Sequence, residues 1–201
     1  MEFGILLVVA YLFGAVPFGL LVAKTKGVDI RRQGSGNIGA TNVFRVIGKG
    51  WGIFTFVLDA LKGFIPAFLF PQFVEEAPVW IGVVFGFAAI LGHSFPVYLK
   101  FKGGKGVATS AGMLLGVTPL AVGVGFSCWV LCMIFSRIVS LSSIVAAGAV
   151  AVTAWVKDYG LVINVALTVL SALVIWLHRA NIKRLLNGTE NRFGTKKGPV
   201  L

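Results

Sequence analysis

Long apolar runs alternate along the chain with short breaks rich in glycine and basic residues. Seven runs are read as membrane helices: 3–23, 52–73, 79–99, 107–117, 119–136, 138–156 and 161–177. The physical reason is length, since a hydrocarbon core of roughly 30 Å takes about 20 apolar residues as helix. Residues 107–136 as one helix would extend about 45 Å, too long for that core, and Pro119 stands where such a helix must break or kink. Two segments are therefore predicted there, with a re-entrant pair as the alternative. The first run begins beside Glu2 with no Lys or Arg, so a span is expected rather than a cleaved signal peptide. No internal repeat is visible.

Composition supports the membrane reading. Of 201 residues, 57% are hydrophobic and 12% charged, where a soluble domain carries roughly 25% charged residues. Residues 1–193 are read as a single integral membrane domain. Gly194–Leu201 are read as a flexible tail or vector remnant, outside functional reasoning. The formal net charge is +11, which points to anionic lipid or an anionic substrate. Nucleic acid is the least favoured target for a chain buried in a bilayer.

The charge is also placed unevenly. Lys24, Lys26, Arg31, Arg32, Arg45 and Lys49 fall in the first break, Lys100, Lys102 and Lys105 in another, and Arg137 in a third. Arg179, Lys183, Arg184, Arg192, Lys196 and Lys197 follow the last run. Seven crossings put all of these, 16 of the 18 basic residues, on one side. By the positive-inside rule that side is the cytoplasm, with the N-terminus outside and the C-terminus cytoplasmic. Merging the fourth and fifth runs would split the basic regions between the two faces. The asymmetry favours an all-α protein of about seven transmembrane helices, or five plus a re-entrant hairpin.

Three polar segments carry candidate chemistry. The first, Gly34-Ser35-Gly36-Asn37-Ile38-Gly39-Ala40-Thr41-Asn42-Val43-Phe44-Arg45, has three glycines in six residues. Such a backbone reaches positive φ, and its successive N–H groups cradle anions. Arg45 offers a bidentate grip on phosphate. A flexible linker is the plain alternative, but a linker needs no Ile, Val and Phe between its polar groups. The second, Lys100-Phe101-Lys102-Gly103-Gly104-Lys105-Gly106-Val107-Ala108-Thr109-Ser110, precedes a predicted helix whose N-terminus favours phosphate. It is not a Walker A loop: Gly106 stands where Ser or Thr is needed, and position 99 is Leu. Its plain alternative is a positive-inside anchor. The third, His178-Arg179-Ala180-Asn181-Ile182-Lys183-Arg184-Leu185-Leu186-Asn187-Gly188-Thr189-Glu190, places His178 and Asn181 at i,i+3 on one helix face. Alone it reads as a basic helix lying on anionic lipid.

Asp59 and Lys62 lie within the second run at i,i+3 and are read as a buried ion pair. His93, inside the third run, is read as a hydrogen-bonded structural residue. Cys128 and Cys132, at i,i+4 in an apolar run, are read as buried, inert thiols.

Taken together, GSGNIGATNVFR, HSFPVYLKFKGGKGVAT and HRANIKRLLNGTE resemble the three signature motifs of the bacterial acyl-phosphate:glycerol-3-phosphate acyltransferases. Asp59, Lys62-Gly63 and Pro66 are similar too. The resemblance covers residues 1 to 193 in order. It implies transfer of an acyl chain from acyl phosphate to the C1 hydroxyl of glycerol 3-phosphate, giving lysophosphatidic acid for phospholipid synthesis. It implies no metal or other cofactor, and a place in the bacterial cytoplasmic membrane with the active site on the cytoplasmic face. Membrane lipid and a soluble enzyme that makes acyl phosphate are the implied partners.

Two phosphorylated substrates need several cations around one site, and Arg45, Lys102, Lys105, Arg179 and Arg184 are available. The expected division gives the acyl phosphate to Lys102, Lys105 and the N–H groups of Gly103, Gly104 and Gly106. Gly36 and Gly39 of the first loop are likewise expected to bind substrate. Arg45, Asn42, Asn181 and Arg179 take glycerol 3-phosphate, and Ser35, Asn37 and Thr41 orient reacting oxygens. Ser35, Asn37, Lys105, His178 and Asn181 form the expected catalytic set. No His-x-x-x-x-Asp pattern occurs, since position 98 is Tyr and position 183 is Lys. The base is either His178 or a phosphate oxygen of the donor. The second is preferred, because no carboxylate neighbours His178 in sequence. A covalent Ser35 acyl-enzyme is a third route. An anion transporter lined by the same loops is the main rival, and it needs polar groups through the membrane depth. A non-catalytic lipid-binding protein explains the basic end but not the first loop.

Overall fold

The structure is a computed structural model that describes residues 2–194, so the expected tail, Gly194 apart, lies outside the described residues. Among these residues every regular element is helical. They are α1 (Glu2–Ala15), α2 (Phe18–Lys24), α3 (Ala40–Val46), α4 (Lys49–Leu69), α5 (Ile81–Ser94), α6 (Val107–Val117), α7 (Pro119–Ser136), α8 (Val139–Lys157), α9 (Leu161–Leu177) and α10 (Arg179–Leu186). Each apolar run is therefore helix. Five stretches are long and apolar enough to cross a membrane: Glu2–Lys24, Lys49–Phe73, Ile81–Leu99, Pro119–Ser136 and Val139–Lys157. A sixth arises if α9 and α10, bent by 57°, count as one span. The remaining run is α6, whose 11 residues reach about 16 Å, half of a core of roughly 30 Å. The expected break falls at Thr118: its N–H still bonds the Leu114 carbonyl, and Pro119 starts the next helix.

The chain forms two compact units, one ending at Pro119 and the next beginning at Leu120. In the first unit, α4 packs against α6 and α1 against α5. Small residues make these crossings close. A Cβ on Gly63 would strike the Thr109 carbonyl, and one on Gly112 the Ala60 carbonyl. In lipid no hydrophobic gain draws helices together, so close backbone approach supplies the packing.

The first run is not one continuous helix. Pro17 lacks the N–H that would continue α1, and the chain restarts at Phe18. The Val16 carbonyl at this break accepts from Phe18 N and from the Lys62 ammonium at 2.9 Å. Lys62 also pairs with Asp59 at 2.8 Å, their side chains 1% and 2% exposed. The expected ion pair is thus present within α4 and reaches the break between α1 and α2.

In the second unit, α8 and α9 pack together through Ser171, whose hydroxyl donates to the Ala147 carbonyl at 2.7 Å, and through Trp155 Nε1, which donates to Thr168 at 3.0 Å. Phe193 N donates to the Arg137 carbonyl at 2.7 Å, fastening the segment after α10 to the turn before α8. Cys128 and Cys132 are unbridged, as expected, but half-buried rather than buried. Helical spacing at i,i+4 fixes their shared face, not its depth. Phe135, Val156 and Leu161 are 86%, 76% and 70% exposed, an arrangement suited to lipid and costly in water.

Candidate functional site

In the first unit the polar segment 34–45 folds over an apolar plug. Ile38 and Val43 are buried in a cluster with Leu20, Val22, Ala23 and Ile30. The interspersed hydrophobic residues thus anchor the loop, as the sequence pattern suggested. Leu99, just before the second loop, packs against the same cluster, so both loops share one base.

Asn42 organises the first loop from within. It is 1% exposed. Its Oδ1 accepts from Ser35 N at 2.9 Å, and its Nδ2 faces the carbonyls of Ile30, Gln33 and Asn37 at 3.2, 3.0 and 2.9 Å. Gly34, at φ 62°, passes so close to Asn42 Oδ1 that a Cβ there would collide. The amide of Asn42 therefore faces loop backbone, and a direct grip on phosphate would displace one of these bonds. Asn37 accepts from Gly39 N at 2.8 Å, which sets the turn into α3. Ser35 and Gly36 are exposed on that turn, Gly39 and Thr41 are half-buried at the start of α3, and Arg45 is exposed in its last turn. Further out, Asp29 receives Arg31 N at 3.1 Å and pairs with the Arg31 guanidinium at 2.8 Å. The hydrogen bond from Arg31 holds the Asp29 carboxyl down at about 2. Arg31 is thus committed to Asp29.

The second loop folds back on the end of α5. Gly103 N donates to the Ser94 carbonyl at 3.2 Å and Gly104 N to the His93 carbonyl at 3.1 Å. Those two amides are directed at protein, so the expected cradle narrows to Lys105, Gly106 and the first turn of α6. Gly104 and Gly106 are buried, Gly103 and Lys105 half-buried, and Lys102 is exposed. The hydroxyls of Ser94 and Ser110 flank Gly106.

In the second unit His178 sits at the bend between α9 and α10, 3% exposed. Its Nδ1 lies 2.8 Å from the Val174 carbonyl. A carbonyl only accepts, so this contact puts the proton on Nδ1 and, in the neutral ring, makes Nε2 the acceptor. Asn181, 5% exposed, shares the buried side with His178, as i,i+3 spacing predicted.

The partner of Asn181 was not among the expected site residues. Asn181 Nδ2 donates to Glu190 Oε1 at 2.9 Å, Ser140 donates to the same oxygen at 3.1 Å, and Arg184 Nε donates to Oε2 at 2.7 Å. Burial raises the Glu190 carboxyl, and the bonds from Asn181, Arg184 and Ser140 outweigh it, leaving Glu190 below the ordinary range. The available signal was that Glu190 is the single acid after Asp158, in a strongly basic segment. Ser140 gave none. Arg179 lies 4.1 Å over the exposed Trp176 ring.

Residues 4–188 match the family model described as glycerol-3-phosphate acyltransferase. The glycerol-3-phosphate acyltransferase of Geotalea daltonii is 47% identical over 190 residues, 94% of this chain and 96% of that one. That of Aquifex aeolicus is 44% identical over 189 residues, 94% of this chain and 97% of its own. Two crystal structures of PlsY, an integral membrane glycerol 3-phosphate acyltransferase, are also similar, each covering 97% of both chains. The glycerol 3-phosphate form has a TM-score of 0.91 at 44% identity. The lysophosphatidic acid form has 0.89 at 43%.

Proposed function

The chain belongs to the glycerol-3-phosphate acyltransferase family, and from that premise we propose that it moves an acyl chain from acyl phosphate to the C1 hydroxyl of glycerol 3-phosphate. It is an integral membrane acyltransferase. The observation that carries the finer reading is its likeness to PlsY in both a glycerol 3-phosphate and a lysophosphatidic acid form. Those two molecules differ by one acyl group, as acceptor and product of such a transfer do.

In the proposed reaction the C1 hydroxyl oxygen bonds to the acyl carbonyl carbon. The carbonyl carbon's bond to the phosphate oxygen breaks, and the hydroxyl proton leaves on inorganic phosphate. The donor is a mixed anhydride, already activated, so the protein has mainly to position charges and stabilise developing ones. In the first unit, Lys102, Lys105, Gly106 and the first turn of α6 hold the donor phosphate. Arg45 takes the acceptor phosphate, and Ser35, Asn37 and Thr41 orient oxygens on a loop that Asn42 keeps in shape. In the second unit, His178, Asn181, Arg179 and Arg184 supply polar contacts, with Glu190 fixing Asn181 and Arg184. The base is the donor phosphate itself, with His178 binding. Residues 1–193 act as one membrane domain in the bacterial cytoplasmic membrane, with the N-terminus outside and the basic loops at the cytoplasmic face. Acyl phosphate arrives from a soluble enzyme, and lipid surrounds the helices.

The test mixes purified protein with an acyl phosphate and glycerol 3-phosphate, then follows phosphate release and lysolipid formation. Acceptor-dependent release is expected. Release that ignores the acceptor, or product formed only from acyl-CoA, defeats the proposal.

A further inference from the structure

We propose that Asp59, Lys62 and His93 are positioning residues that set the Gly103–Gly106 turn from inside the spanning helices. This rests on the function proposed above only in assigning that turn to the donor phosphate. The three side chains are 2%, 1% and 5% exposed and come from two helices, α4 and α5. Charged groups within apolar spans are costly, and they persist when paired or tied to function. Here the pairing leads outward to the loop.

Lys62 is held at 2.8 Å by Asp59 and at 2.9 Å by the Val16 carbonyl, freed from regular helix by Pro17. It lies 5.6 Å over the Phe18 ring. One ammonium thus ties α4 to the α1–α2 break. Asp59 Oδ1 in turn faces His93 Nδ1 at 3.7 Å.

His93 is where the network meets the loop. Its carbonyl receives Gly104 N, and its imidazole fills the space a Cβ on Gly104 would need. The neighbouring Ser94 carbonyl receives Gly103 N. From α1, Tyr11 braces the same chain end by donating to the Phe95 carbonyl at 2.7 Å. Lys105 follows directly on Gly104. Rotation or loss of the His93 ring therefore moves the backbone that carries Lys105.

A plain stabilising ion pair makes a different prediction. It lowers the melting temperature and leaves the loop and the kinetics of the folded fraction alone. The test uses full-length protein in lipid nanodiscs. The first arm measures amide exchange at Gly103 and Gly104 in wild type, His93→Ala and the paired change Asp59→Asn/Lys62→Met. The paired change is chosen because Asp59→Asn alone leaves a buried charge unpaired. Faster exchange at these amides than in the flanking helices is expected in both variants. Wild-type exchange in both overturns the proposal, whatever the activity.

The second arm is a kinetic cycle of Gly104→Ala, His93→Ser and the double change. Gly104→Ala is expected to raise KM for the acyl donor on the order of 10- to 100-fold. His93→Ser, by making room, should restore part of that loss, giving strong non-additivity. Additive losses overturn the proposal. Failure of the wild type to transfer acyl groups defeats the function proposed above and leaves the exchange arm to decide this one.

Discussion

Replacing Asn42 separates two roles that its place in the sequence leaves mixed. In Asn42→Ala the loop loses the acceptor for Ser35 N and the amide facing Ile30, Gln33 and Asn37. Asn42 is 1% exposed, so the three carbonyls and one N–H must find water or open the loop. An amide has two hydrogens, so about three bonds are lost, each with a net worth of about 1 kcal/mol. Partial recovery by water leaves about 2–3 kcal/mol, or roughly 30- to 150-fold in the equilibrium for opening the loop. The assay is amide exchange at residues 34–39, followed by kinetics with varied glycerol 3-phosphate. Asn42→Asp serves as the harsher case, since it keeps an acceptor for Ser35 N but sets a buried carboxylate oxygen against three carbonyls. The expected order of protection is wild type, then Ala, then Asp, with kcat/KM falling in the same order. Unchanged protection at Ser35 in Asn42→Ala, with a raised KM for glycerol 3-phosphate, would refute the scaffold role and return Asn42 to direct contact with substrate.

Other expectations can be checked separately. Gly63→Val and Gly112→Val should each lower the melting temperature in detergent, by overpacking worth about 1–3 kcal/mol where α4 crosses α6; unchanged melting would contradict the close crossing. The Glu190 carboxyl is held below its ordinary value of 4.5, so its folded-state contribution is fully present above about 4.5 and disappears as pH falls through the lowered value. Melting curves of wild type and Glu190→Gln should therefore differ at neutral pH and converge in acid, and curves that stay parallel however far the pH falls below 4.5 argue against the network. His178→Gln should slow the reaction by roughly tenfold with the shape of the pH–rate profile kept. Loss of one limb of that profile would make His178 the base.

The helices were legible because apolar length is a strong signal in a membrane. The break at Thr118–Pro119 was legible for the same reason, as Pro cannot continue a ladder of N–H donors. The break at Pro17 was not, since an apolar run continues through it unchanged. Helix α3 was read as loop, because its seven residues start in a Gly/Asn-rich turn and are held by Val43 in the plug rather than by local preference. At the candidate site the residue types were readable and their directions were not. Nothing local says that Asn42 turns inward or that Glu190 gathers Ser140, Asn181 and Arg184 from up to 50 positions away. The Asp59–Lys62 pair could be foreseen from its i,i+3 spacing, whereas the link through His93 to Gly104 needed the packing of α5 on α4.

The shortness of α6 has a consequence for the bilayer itself. A helix of 11 residues leaves roughly half of the hydrocarbon thickness for something else to cover. Lipid beside it must thin, or water must enter, for both ends to be solvated. The start of α6 carries Gly106, Thr109 and Ser110, groups that suit water better than acyl chains. Thinning beside so short a helix draws the acyl layer close to its polar start. There a headgroup can stay hydrated while its tail stays in lipid, and neither has to leave its own solvent for the two to be joined.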